Sequence, residues 1–371
     1  MEFRIDSSEL TDAVAWAARV LPARSPVPVL GGLLLEASGG RLRVSGLDYE
    51  ASARIEVEAD TARDGRALVL GRRLLDICKV LPRGVVECVV EGARLSVTGG
   101  EARFGLSLLP LDDYPAQPGL PAFRGVVDAD AFAAAVGQVA VAAGRDDSLP
   151  VLTGIRLALD GTTMTLAATD RYRYAVRTLE WKPECGDGVS EAAEGADVVV
   201  PARRLTEIAR SLTTAGPVRL ALDGGSIGFE SDGTRTTTRL LDGRLPRHDK
   251  LFSLGEHAVA VTDRAPLLEA VKRVAVVAEG DSPVQLAFAG DTVQLQAGYE
   301  DDVASQRLPA LLEGADSMTV AFNPGYLLDA LGSFGTDSVR FHLLGPGQRA
   351  LITDREDGVH QHLLMSVKPL V

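Results

Sequence analysis

The chain has 371 residues, 46% hydrophobic and 24% charged, a balance that excludes a disordered chain and exceeds what one core usually organises, so two or three domains are expected. No run reaches the ~18 apolar residues of a membrane helix, and Met1-Glu2-Phe3-Arg4-Ile5-Asp6 alternates like a strand instead of following a signal peptide's basic-then-apolar plan. Cys78, Cys88 and Cys185 are odd in number and unclustered, which indicates neither a disulfide framework nor a zinc site and fits a reducing, cytoplasmic setting.

In chain order, Leu10, Val14, Ala17 and Leu21 recur at helical spacing and predict an amphipathic helix over 8–21. Pro28-Val29-Leu30 then leads into a strand at Leu33-Leu34-Leu35, a Gly39-Gly40 turn, and strands at Leu42-Arg43-Val44 and Ile55-Glu56-Val57. Residues 68–110 repeat the plan: a short strand, a helix on Leu74, Ile77, Cys78 and Leu81, then strands at 85–90, 94–98 and 102–109. The pair of units recurs. A helix over 127–142 on Phe132, Val136 and Val139 precedes Pro150-Val151-Leu152-Thr153-Gly154, an echo of Pro28-Val29-Leu30-Gly31-Gly32. The hairpin Ile155–Leu159 and Met164–Leu166 follows, then a helix on Leu205, Ile208 and Leu212 and strands at 217–222, 226–230 and 234–241. A third pair begins at Leu268, Val271 and Val274 and ends with a helix over Pro324–Phe334 and strands to the C-terminus.

The matching helix positions Val14, Val136 and Val271 lie about 120 to 135 residues apart, the size of a small domain. The expectation is an α+β chain of three similar domains, 1–122, 126–252 and 256–371, each a duplicated helix-plus-β-hairpin unit. Linkers fall near 112–126, where Pro115, Pro118 and Pro121 cluster, and near 246–258, while 184–196 is an acidic, glycine-rich insertion. Sheets of this kind leave strand edges at the domain ends, and a closed ring of domains is one way to pair them.

With that repeat in place, Pro-Val-Leu-Thr-Gly at 150–154, Thr-Asp-Arg-Tyr-Arg-Tyr at 169–174, Leu-Asp-Gly-Arg-Leu-Pro at 241–246 and Leu-Met-Ser-Val-Lys at 364–368 carry a resemblance. Across essentially its whole length the chain resembles the bacterial DNA polymerase III β subunit, the replicative sliding clamp, in an actinobacterial form. The resemblance implies the DNA clamp fold and a ring-shaped, head-to-tail homodimer around double-stranded DNA, with helices lining the hole. It implies no cofactor and no catalysis, but processivity lent to the polymerase III alpha subunit, with the clamp loader and other proteins carrying clamp-binding motifs as further partners. The net charge of −13 does not exclude this, because a footprint depends on where the basic residues stand. Arg24, Arg72, Arg73, Lys79, Arg83, Arg203, Arg204, Arg210, Lys272 and Arg273 fall on or beside the predicted helices, and phosphate contacts of that kind read no base and permit sliding. The helix at Pro324–Phe334 has no basic residue and contributes little.

The family's peptide-docking groove would have Leu152, Thr169, Pro246, Leu251, Leu363 and Met365 as its apolar floor. Arg171, Tyr172, Arg173 and Tyr174 would form a wall, Lys250 the rim, and Ser366, Val367 and Lys368 the far side. The family usually has Met-Pro, a hydrophobic residue and arginine at the end. Ser366 and Lys368 depart from this, freeing a backbone N–H and removing a bidentate donor, so a specialised second clamp copy with altered ligand preference is expected. Dimer closure would pair an edge around Phe104, Leu106 and Leu108 with the third domain at Val271, Arg273 and Val274. Two other readings stay open. An enzyme is disfavoured because His248, His257, His342, His360 and His362 form no metal-spaced motif and Gly345-Pro346-Gly347 reads as a turn. A protein-binding repeat scaffold without DNA is favoured by the acidic net charge and opposed by the helix arginines.

Overall fold

The computed structural model describes residues 1–22, 27–184, 195–212, 216–279, 282–299, 302–354 and 358–368. The chain separates into two compact units, Met1–Val126 with Ala215–Leu240, and Val127–Thr214 with Leu241–Val371.

In the first unit, helix α1 (Ser7–Ala18) starts where Asp6 accepts a hydrogen bond from the Ser8 N–H, satisfying one of the open donors of the first turn. It packs against α2 (Gly71–Val80). Leu10, Val14 and Ala17 from one helix and Leu74, Ile77 and Cys78 from the other enter one core with Phe3, Leu33, Val44, Val86 and Val97. Two sheets carry the helices. One runs Asp60–Arg63, Glu2–Asp6, Val85–Glu91, Arg94–Gly99, Ala102–Ser107. The other includes, in order, Pro217–Leu222, Ser226–Ser231, Thr234–Arg239, Ala51–Glu58, Arg41–Leu47, Gly32–Ser38 and Gly65–Leu70. The proline-bearing linker is not a bare tether, since Leu109, Leu111 and Tyr114 pack on Val29, Leu34 and Leu68.

In the second unit, α3 (Ala129–Ala140) packs on α4 (Ala202–Leu212), with Phe132, Val136, Val139, Leu205, Ile208 and Leu212 buried at helical spacing. A four-residue α5 (Asp249–Phe252) precedes α6 (Arg264–Val274), which pairs with α7 (Pro324–Ser333). The long sheet runs Asp197–Pro201, Gly154–Asp160, Thr163–Thr169, Arg173–Glu180, His360–Met365, Arg349–Thr353, Ser338–Leu343, Ala258–Asp263, Leu311–Glu313. A four-stranded sheet, Asp302–Pro309, Thr292–Tyr299, Val284–Ala289, Ser317–Phe322, completes it.

Both long sheets cross the boundaries between the sequence repeats. Thr234–Arg239 pairs antiparallel with Ala51–Glu58, and Arg173–Glu180 pairs with His360–Met365. These seams explain why the compact units do not follow the three repeats. The Pro28 and Pro150 segments, expected to run straight into strands, each form one 3-10 turn first, over Pro28–Gly31 and Pro150–Thr153. Proline fixes the backbone angle that such a turn needs at its first position.

Candidate functional site

The sharpest local construction in the second unit is the turn between strands Thr163–Thr169 and Arg173–Glu180. Asp170 Oδ1 accepts from the N–H groups of Tyr172 (3.0 Å) and Arg173 (3.1 Å). Thr169 Oγ1 accepts from the Arg171 N–H at 3.1 Å and donates to the Arg173 carbonyl at 2.7 Å. These bonds hold Arg171 at φ 84°, a left-handed conformation that side chains rarely adopt, and turn Arg171 and Tyr172 outward. Arg173 turns inward. Its Nε donates to Asp170 Oδ2 at 2.9 Å, its Nη1 to Asp329 Oδ2 at 2.7 Å, and its guanidinium lies 4.5 Å from the Tyr326 ring centroid. Tyr172 stacks on the same ring, centroids 6.3 Å apart.

Two clefts flank this turn. The first, of about 400 Å³, is lined by Thr169, Arg171, Arg173, Tyr174, Leu251, Leu344, Gln348, Arg349, Leu363 and Met365. Tyr174 forms its floor. The ring meets Phe252 edge-on at 5.7 Å, the hydroxyl donates to the Pro246 carbonyl at 2.7 Å, and burial pushes its pKa up to about 12. Leu363 lies opposite Tyr174 in the sheet and belongs with it, Val176 and Leu351 to one apolar cluster, against which Leu251, Phe252 and Leu254 pack. The second cleft, of about 550 Å³, is lined by residues 143–146, Leu149, Leu152, Asp170, Arg171, Tyr172, Arg173, Asn323, Gly325, Tyr326 and Asp329.

The C-terminal wall is tied at each residue. The Met365 N–H donates to the Tyr172 carbonyl (2.9 Å), the Ser366 N–H to the Gln348 carbonyl (3.0 Å) and the Val367 N–H to the Ala321 carbonyl (2.8 Å). Ser366 Oγ also donates to the Gln348 carbonyl, at 2.6 Å. Lys368, Lys250 and Pro246 are exposed, as are Met365 and Val367.

Of the groove residues expected from sequence, Thr169, Arg171, Arg173, Tyr174, Leu251, Leu363 and Met365 meet at the first cleft and Leu152, Arg171, Tyr172 and Arg173 at the second. Two expectations change. Arg173 is not an open wall cation, because two carboxylates already hold it. Nor is the N–H at Ser366 left free, because the Gln348 carbonyl accepts it. Sequence reasoning missed Leu344, Gln348 and Arg349, brought in by the pairing of Arg349 with Met365, and Asn323 at the start of α7 with Tyr326 and Asp329 within it. The available signals were the Gly345-Pro346-Gly347 turn and Asn323, whose side chain caps α7 by accepting from the Tyr326 N–H.

Three family models match in succession: the DNA polymerase III beta subunit N-terminal domain over residues 1–118, its central domain over 126–247 and its C-terminal domain over 250–368. The chain belongs to the DNA polymerase III beta subunit family. It is 47% identical to the beta sliding clamp of Streptomyces coelicolor over 99% of both chains. It is 41% identical to the beta sliding clamp homolog GriR of Streptomyces muensis, also over 99% of both. Among solved structures, the sliding clamp of Pseudomonas aeruginosa bound to griselimycin matches with a TM-score of 0.92 at 28% identity, covering 100% of each chain. The three-domain clamp fold follows, as does a role as a processivity factor with no catalytic step of its own.

The other features expected of a beta subunit are unevenly disposed. Arg24 lies outside the described residues. On and beside α2, Arg72, Arg73, Lys79 and Arg83 are exposed, and Arg72 donates to the Pro22 carbonyl at 3.3 Å. On α4, Arg203 and Arg204 both reach Glu207, at 3.2 and 3.4 Å, and Arg210 is exposed. On α6, Lys272 pairs with Glu269 at 2.8 Å and Arg273 donates to Gln306 at 2.9 Å. Helices α1, α3 and α7 carry no basic residue. At the expected dimer edges, Ala102–Ser107 is the end strand of its sheet, with Phe104 and Leu108 half-buried. Leu106 faces its own core, and Val271 and Val274 sit in the core formed by α6, α7 and their sheets, so these three are not available to a partner. Among the described residues, those left open there include Arg273, Val276, 82% exposed, and the end strand Asp302–Pro309.

Proposed function

We propose that this beta subunit works as a sliding clamp: two copies close head to tail around double-stranded DNA, with helices toward the duplex. The polymerase III alpha subunit, the clamp loader and other proteins with clamp-binding motifs then dock in the clefts flanking the Asp170–Tyr172 turn. The observation that carries the docking reading is the first cleft. It is an apolar floor of Tyr174, Leu251 and Leu363 with polar anchors at its edge, the form that suits an extended peptide. Exposed basic residues on α2, and on α4 and α6 beside their carboxylates, support sequence-independent phosphate contact. The test loads the protein onto nicked circular DNA with a clamp loader, linearises the circle and follows retention by gel filtration. Retention on circles and loss after cutting is expected. Loss from both, or retention on both, would overturn encirclement.

We also infer that this is a specialised copy whose groove differs at Ser366. Its N–H and hydroxyl both bond the Gln348 carbonyl, fixing the wall beside Met365 to the Gly345–Gln348 turn. Ser366→Pro removes both bonds. A fluorescent peptide carrying a clamp-binding motif should bind this variant and the parent with different affinities. Equal affinities would sink the idea.

A further inference from the structure

We infer that His257 and His342 form a site for a divalent transition-metal ion of the zinc type, which fastens the segment after α5 to the long sheet. His257 ends that segment and His342 stands on strand Ser338–Leu343, and both are half-buried. His257 Nε2 lies 3.1 Å from His342 Nδ1, with the two rings inclined at 57°. Each ring is also held from behind by its other nitrogen. His257 Nδ1 lies 2.7 Å from the Gly255 carbonyl, which can only accept. That nitrogen therefore carries the hydrogen, and in the neutral ring Nε2 is a bare lone pair. His342 Nε2 lies 3.0 Å from Thr353 Oγ1, a hydroxyl that can accept as well as donate.

Two arrangements of hydrogens fit these contacts. In one, Thr353 donates to His342 Nε2, and His342 Nδ1–H donates to His257 Nε2. In the other, His342 carries its hydrogen on Nε2, donates to Thr353 and turns a second lone pair toward the first. That is the disposition of metal-ligating histidines, whose remaining N–H is held by a carbonyl or another acceptor. Two nitrogens that each lie about 2.0–2.1 Å from a tetrahedral zinc ion stand about 3.3 Å apart, close to the separation here. Both arrangements hold the same number of protons, so an ion enters the neutral pair without expelling one. Glu256 adjoins His257 in the chain, and Glu313 shares a cross-strand row with His342 across Val259. Both carboxylates are exposed and favour a cation, while Arg340, two residues from His342 on its strand, opposes one. Among the described residues no third His, Cys, Asp or Glu completes a larger group, so water fills the remaining positions and affinity falls below that of a four-ligand zinc site.

The test titrates the full chain with zinc chloride against a chromophoric chelator of known affinity. One ion per chain should bind at neutral pH and be released by acid, because both imidazoles must be neutral to ligate. Magnesium, which takes oxygen ligands, should not compete. Thr353→Val keeps both ligands and removes only the acceptor behind His342, and should weaken binding by about tenfold or more. His257→Gln and His342→Gln should each weaken it further than that. Thermal unfolding without zinc checks that every variant is folded, and Thr353→Val, close to the parent in shape, carries the test if a glutamine variant is not. Failure of the parent to bind zinc overturns the inference. Parental affinity in either glutamine variant overturns it too, since the ion would then be held elsewhere on the chain.

Discussion

The two seams that join successive repeats have the same backbone and opposite side-chain polarity. In the first unit, Ala51 and Ala53 face α1, Val20 and Trp16, while the other face carries Arg54 opposite Arg235, with Glu56 and Glu230 beside them. In the second unit the polar residues lie on the inner side. Arg173 reaches α7 through Asp329, and His360 meets Ser333 of that helix at 2.8 Å, with His362 buried beside it. The outer face is then apolar: Tyr174, Val176 and Leu363. A sheet face of that kind must be covered. The segment Leu251–Leu254 covers part of it and the first cleft is the remainder. A partly uncovered apolar cleft thus arises from reversing which face of one seam is polar, with no change of topology.

The largest test of this comparison removes the inward charge. In Arg173→Met the side chain keeps its bulk, but Asp170, only 14% exposed, loses its ion partner. Breaking a buried pair from one side typically costs about 3–5 kcal/mol, and the loss should appear in urea unfolding together with weaker peptide binding. Asp329 is more exposed and adds little. A loss below about 1 kcal/mol, the ordinary effect of a single substitution, would mean that the inner polar face is not what holds this seam.

Much of this architecture is legible in sequence, because helical spacing and two-residue alternation are local signals. Leu205, Ile208 and Leu212 mark α4 without any knowledge of what they touch. Alternation at Tyr174–Val176 and His360–Leu364 shows that each strand has two faces, but not which one turns inward. That choice is made by Asp329, 156 residues away from Arg173. Arg349 joins the cleft only through its pairing with Met365. The same ambiguity placed Val271 and Val274 at a dimer edge. An apolar helix position looks alike whether it meets its own core or a partner, and here the core takes both.

The buried histidines give a second, smaller test. Burial lowers the pKa of His360 to about 4, with Arg177 lowering it further and the Val176 carbonyl and Asp354 opposing. Burial also holds His362 well below its ordinary value, with His360 and Arg173 adding to the effect. Both are therefore neutral when folded, while in the unfolded chain they protonate near the ordinary value of 6.5. The unfolded state binds more protons below that value, so stability is full above about pH 6.5 and falls toward pH 4. His360 alone contributes on the order of 3 kcal/mol to that fall. His362→Leu removes two ring nitrogens that have no hydrogen-bond partner among the described residues. It should raise stability at neutral pH by about 1 kcal/mol and flatten the acid slope. Urea unfolding at a series of pH values checks both, and an unchanged slope would remove His362 from the account. The seam in the first unit pairs threonines with isoleucine, alanine and serine, and arginine with arginine, and has no histidine to titrate.

The smallest effect belongs to the outer face of that first seam, where the comparison is most easily broken. Arg235 stands directly opposite Arg54, a like-charge pair across two strands, and each leans on a glutamate, Glu230 at 3.2 Å and Glu56 at 3.4 Å. Arg54 already has a lowered pKa, first from burial and then from Arg43, with Arg235 adding to it. Arg235→Thr continues the threonine run of its strand, loses the Glu230 bond and relieves Arg54. These partly exposed terms oppose one another and are screened by water. The net change should stay within about 0.5 kcal/mol and should shrink further at high salt. Urea midpoints at low and high salt measure it. A loss above about 1 kcal/mol would show that the charged outer face holds this seam together, as Arg173 holds the other. The two seams would then differ in where the structural charge sits, not in whether there is one.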